Sequence, residues 1–84
     1  MSADKTEYKK IQGEILQFLF DNGGSATFKG IADLTKKPES EAQYHCDVLI
    51  EHGAIKPVSV KISRSSFTNG FEITALGRKT IMEQ

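Results

Sequence analysis

Apolar positions along this chain recur first at a helical interval. In "DKTEYKKIQGEILQFLF", Tyr8, Ile11, Ile15, Phe18 and Leu19 fall on one stripe of an otherwise polar segment, the signature of an amphipathic helix. Thr6 or Asp4 is placed to cap its start, and "DNGG" over Asp21–Gly24 stops it, because glycine accepts the left-handed backbone that ends a helix. Ser25–Thr27 reads as a very short strand. Thr27 then caps a second helix from Phe28 to about Lys36, with Ile31, Ala32 and Leu34 as its buried candidates.

Pro38 closes that helix, since the residue before a proline is pushed out of the helical region, and it suits the first turn of the next helix. Ser40 with Gln43 also reads as a capping box, which leaves that start open by two residues. In the third helix Ala42, Cys46, Leu49 and Ile50 share a stripe, His45 lies at its border and Gly53 ends it. The interval then changes to two. Val58, Val60 and Ile62 alternate with Ser59, Lys61 and Ser63, a half-buried strand. "RSSFTNG" is turn-rich, with Asn69-Gly70 as the hairpin signal. "FEIT" alternates again, turning Phe71 and Ile73 inward. Thr74 caps a last helix anchored by Leu76 and Ile81.

The order is helix, short strand, helix, helix, strand, strand, helix: an α+β chain, mainly α. A three-helix core followed by a hairpin wing and a final helix is the plan of a winged helix-turn-helix. One domain spans 1–84, with the helix-turn-helix at about 28–52, the wing at about 55–74 and the last helix at about 75–83. "IADLTKKPESEAQYHCDVLIEHGAI" resembles the helix-turn-helix core of small winged-helix regulators, whose second helix closes on a pattern like Leu49, Gly53, Ala54, Ile55. "ITALGRKTI" is similar to the segment that follows the wing in those proteins. The "YH…LI…G…I" wording is also similar to phage- and prophage-associated winged-helix proteins.

The resemblance implies a duplex-DNA partner and a role in transcription. It turns Ser40, Gln43, Tyr44 and Asp47 toward a major groove and sets Lys29, Lys36, Lys37, Lys61 and Arg64 against phosphates. Lysine and arginine neutralise phosphate without reading sequence, whereas amides and hydroxyls bond base edges. Phe67, with Arg64 on the wing tip, suits minor-groove insertion or a protein contact, unless it folds back onto the hairpin. Leu16, Phe20 and Met82 are left over from the core stripe and would supply a homodimer interface, because half-sites come in pairs.

Charge complicates that reading. Eleven basic residues balance eleven acidic ones, so any cationic footprint must be local. The third helix carries Glu39, Glu41, Asp47 and Glu51, with no lysine or arginine between Lys37 and Lys56. Glu39 and Glu41 have a stability reason, since carboxylates in a first turn offset the helix dipole by about 0.3–1 kcal/mol each. Asp47 has none. The alternative is an interaction module whose acidic helix docks on a protein, for instance as a DNA mimic or phage-encoded inhibitor.

The remaining chemistry is sparse. His45 and His52 stand about 10 Å apart along a helix axis, too far to share one ion unaided, and Cys46 sits on the buried stripe; no metal or cofactor is expected. No nucleophile elbow, phosphate loop or zinc motif occurs, so an enzyme is not expected either. A single cysteine excludes an internal disulfide and points to a reducing compartment. The start "MSADKTEYKK" is polar, and no apolar run nears the ~20 residues that cross a bilayer. A cytoplasmic protein is the expectation.

Overall fold

A computed structural model describes the backbone of residues 2–83 and the side chains of residues 8–83. Its elements are α1 (Ser2–Asp21), β1 (Ser25–Thr27), α2 (Phe28–Thr35), α3 (Glu39–Glu51), β2 (Ile55–Ser63), β3 (Ser66–Ile73) and α4 (Ala75–Met82). The three strands form one antiparallel sheet in the order β1-β3-β2. Helix α1 lies against α2, α3 and α4. Ile11, Ile15, Leu19, Ile31, Cys46 and Ile55 make the centre of the core, joined by Phe71 and Ile73 from β3.

Several local signals act as the sequence implies. Thr27 Oγ1 accepts from Gly30 N–H at 3.0 Å and Thr74 Oγ1 from Gly77 N–H at 3.2 Å, each satisfying one orphan donor of a first turn. At the end of α3, Ala54 N–H bonds Leu49 O and Gly53 N–H bonds Ile50 O. With Gly53 at φ +75°, this is the paired closure that needs a left-handed residue just past the helix.

Elsewhere the structure departs from the local reading. Helix α1 begins at Ser2, upstream of both Asp4 and Thr6; the side chains of those two caps lie outside the described residues. Pro38 is the N-cap of α3, without a side-chain capping bond, so Ser40 and Gln43 form no capping box. Glu41 N–H and Ala42 N–H bond the Pro38 carbonyl instead. Leu34 and Leu76 are exposed rather than buried, because the stripe of a short helix is wider than the surface it meets. Leu16, counted as surplus from the stripe, is buried. Ile62 is exposed, in the outer half of the hairpin beyond the Gly70–Glu72 stretch of β3 that β1 pairs.

The hairpin turn is also displaced. It falls at Arg64-Ser65, between Ser63 and Ser66, while Asn69 and Gly70 sit inside β3 opposite Ser59 and Val58. Gly70 is there because β3 is flanked closely on both sides. A Cβ at this position would overlap the Ala26 carbonyl of β1 and a Val60 methyl. Of the two adjoining residues that read as a turn, Gly70 marks a close approach between strands and Asn69 is an exposed strand position.

Candidate nucleic-acid interface

Helix α3 divides cleanly by angle. Ala42, Cys46 and Leu49 are buried, Ile50 is half-buried, and Ser40, Gln43, Tyr44, Asp47 and Glu51 are exposed. The helix is held in this rotation by its apolar stripe and by a polar clasp. His45, expected at the border, is 0% exposed. Its Nδ1 accepts from Gln12 Nε2 of α1 at 3.1 Å. The neutral ring therefore carries its proton on Nε2, which has no hydrogen-bond partner among the described residues. The Tyr8 ring meets the imidazole edge-on at a centroid distance of 4.9 Å, and the Tyr44 ring does so at 5.4 Å. Aromatic faces are weak acceptors for such an N–H. Gln12 and Tyr8 were not legible as site-shaping residues, although their i, i+4 spacing on α1 is the available signal.

Burial lowers the His45 pKa from its ordinary 6.5; Glu41 raises it and Lys37 lowers it further. The folded state thus binds its proton less readily than the unfolded chain. The stability this contributes is complete above pH 6.5 and is lost as pH falls from there toward the folded pKa. Urea titrations between pH 7.5 and 5 are expected to show falling stability, with the slope removed in His45→Gln. Cys46 is held at about 11 by burial, reinforced by Asp47, so its thiol stays protonated and inert at neutral pH. Thiol-reagent labelling of the native protein is expected to follow global unfolding rather than simple exposure.

The cations expected to meet phosphate stand on α2, in the turn before α3 and on the wing. Lys29 is exposed on the first turn of α2, and Lys36 is exposed in the turn with a left-handed φ of 56°. Lys37 is half-buried, and its N–H reaches Thr35 Oγ1. Lys61 and Arg64 are exposed on the wing, and Phe67 is 62% exposed rather than folded back. Lys61 and Phe67 are cross-strand partners and so share one face of the wing. Two chains of contact emerge that spacing alone did not give. Gln43 Nε2 donates to Asp47 Oδ1 at 2.8 Å, and the Tyr44 ring leans toward Tyr8 at a centroid distance of 5.8 Å. Tyr44 is nevertheless half-exposed.

Between α3 and the wing runs a groove of about 540 Å³. Phe28, Ile50, Pro57 and Phe71 supply its apolar walls, and Glu39 and Asp47 are its charged residues. Among the described residues no three of His, Cys, Asp and Glu are grouped to hold a metal ion. No described helix is long and apolar enough to cross a membrane.

No protein-family model matches the chain, and no curated protein matches it in sequence. Among solved structures it is similar to a MepR-like protein crystallised with pseudoligands, at a TM-score of 0.72 and 23% identity. The match covers 88% of this chain and 50% of that one, so the chain spans half of that protein's length. Helix order, wing and structural likeness agree on one fold, that of a winged helix-turn-helix.

Proposed function

We propose that the chain is a single domain that binds duplex DNA and regulates transcription, with α3 in a major groove and the Lys61–Gly70 part of the wing along the backbone. The observation that carries this is the division of α3, which buries Ala42, Cys46 and Leu49 while exposing Ser40, Gln43 and Tyr44. Hydrogen-bonding side chains are thereby offered on α3, while Lys36 in the turn before it and Lys61 and Arg64 on the wing are exposed. The likeness to a MepR-like protein is consistent with this use of the fold. Fluorescence anisotropy with a labelled random duplex at about 50 mM salt tests it, because non-specific affinity is readily visible there. Absence of binding would end the reading.

The groove beside α3 favours a second reading. Its charged residues, Glu39 and Asp47, are both acidic, which suits a cationic segment of a protein partner better than a phosphate. Replacing both with glutamine separates the two: duplex affinity rises under the first reading, and partner binding is lost under the second.

We further propose a homodimer through α4, where Leu76 and Met82 are 50% and 72% exposed. Phe20 is engaged within the fold, half-buried beneath the Arg78 guanidinium at 6.0 Å. Sedimentation equilibrium is expected to show a dimer that Leu76→Glu with Met82→Glu converts to monomer. A monomeric parent protein would refute this.

A further inference from the structure

The awkward residue for DNA binding is Asp47, a carboxylate on the outward face of α3. Its contact with Gln43 gives it a purpose. The two stand one helical turn apart, both exposed, and Gln43 Nε2 donates to Asp47 Oδ1 at 2.8 Å. A carboxylate can only accept, so this bond settles which end of the Gln43 amide is which: the nitrogen lies toward Asp47 and Oε1 away from it. Exposed glutamines otherwise sample many rotamers and both amide orientations.

A primary amide has two N–H groups. When the one anti to the oxygen is used on Asp47, the other N–H and Oε1 remain side by side. That fork matches adenine in the major groove, whose N6 amino group donates and whose N7 accepts. Guanine presents acceptors at both N7 and O6, so it would face Oε1 with a second oxygen. We infer that Asp47 is a positioning residue that holds the Gln43 amide as an adenine-reading fork. This inference rests on the duplex-binding reading above. On this account the carboxylate trades some non-specific affinity, through repulsion of phosphate, for discrimination.

The test starts with binding sites selected from a randomised duplex pool. Parent protein, Gln43→Ala, Asp47→Ala and Asp47→Asn are then titrated against the selected duplex, single-pair variants of it, and random duplex. The parent is expected to favour A·T over G·C by about tenfold at one position whose preference disappears in Gln43→Ala. Asp47→Asn, whose side-chain oxygen still accepts, retains that preference. Asp47→Ala loses most of it while binding random duplex more tightly, since a negative charge is gone. A merely structural role for Asp47 would instead weaken both duplexes together, and thermal melts of each variant separate out any loss of folding. Parent-like preference in Asp47→Ala, a base other than adenine at the position governed by Gln43, or no such position at all would overturn the inference and leave duplex binding intact. Failure to bind any duplex would overturn both.

Discussion

Changing Lys36, Lys37, Lys61 and Arg64 together to alanine is expected to remove most of the affinity for random duplex. Each phosphate neutralised contributes about 0.9 to the slope of log K against log salt, so four contacts contribute about 3.6. Across the fourfold change from 50 to 200 mM salt, that slope corresponds to roughly a hundredfold in affinity. The variant should therefore lose both the affinity and the steepness, measured by anisotropy at several salt concentrations. Lys36, Lys61 and Arg64 are exposed and Lys37 is half-buried, so the fold should survive; unchanged far-UV circular dichroism would confirm that. Undiminished binding with the parent's salt slope would show that the phosphate contacts lie elsewhere. Because the chain has no net charge, no diffuse positive field stands ready to mask the loss.

The second large effect is expected at Gly70. A methyl group there would meet the Ala26 carbonyl of β1 and the Val60 side chain of β2 at once. One obstacle is backbone, so it cannot rotate aside. Overpacking a well-filled position costs typically 1–3 kcal/mol, and we expect Gly70→Ala at about 3 kcal/mol. A domain of this size has on the order of 5–10 kcal/mol in total. Asn69→Ala, on the exposed side of the same strand, should stay within about 0.5 kcal/mol. Urea melts of the two variants decide between a strand crossing and a turn. Were Asn69-Gly70 the hairpin turn, both changes would be costly, because that turn requires positive φ at both residues.

That contrast shows which features the chain spells out locally. Thr27 and Thr74 are legible as caps because a hydroxyl three residues before the amide N–H that donates to it needs no distant information. The end of α3 was legible for the same reason, in the Gly53 closure. Gly70 was not, since its constraint comes from Ala26, far away in sequence. His45 was placed at the border of α3 because its partner Gln12 lies 33 residues earlier. Periodicity correctly assigned Ala42, Cys46 and Leu49 to the interior, and the outward face of α3 followed as the remainder. It cannot say how much surface lies opposite a stripe, so Leu34, Leu76 and Ile62 fit an inward pattern and are nonetheless exposed. Within the candidate interface, the types and exposure of side chains were readable. The Gln43–Asp47 bond was implicit in an i, i+4 spacing, but only geometry distinguishes a bonded pair from two neighbours.

The junction after α3 has a mechanical implication. Thr74 N–H bonds the Ala54 carbonyl at 2.9 Å, Thr74 Oγ1 bonds the Gly53 carbonyl, and Gly77 packs so closely on Ala54 that a Cβ there would overlap the carbonyl oxygen. The foot of α4 thus grips the two residues through which α3 hands the chain to the wing. Tilting α4, for instance by pairing it with a second copy, must pull on that grip, and helix and hairpin would pivot as one lever about Ala54. Amide exchange at Gly53, Ala54 and Thr74 should then slow in concert when α4 is engaged; independent responses would mean the hinge is slack.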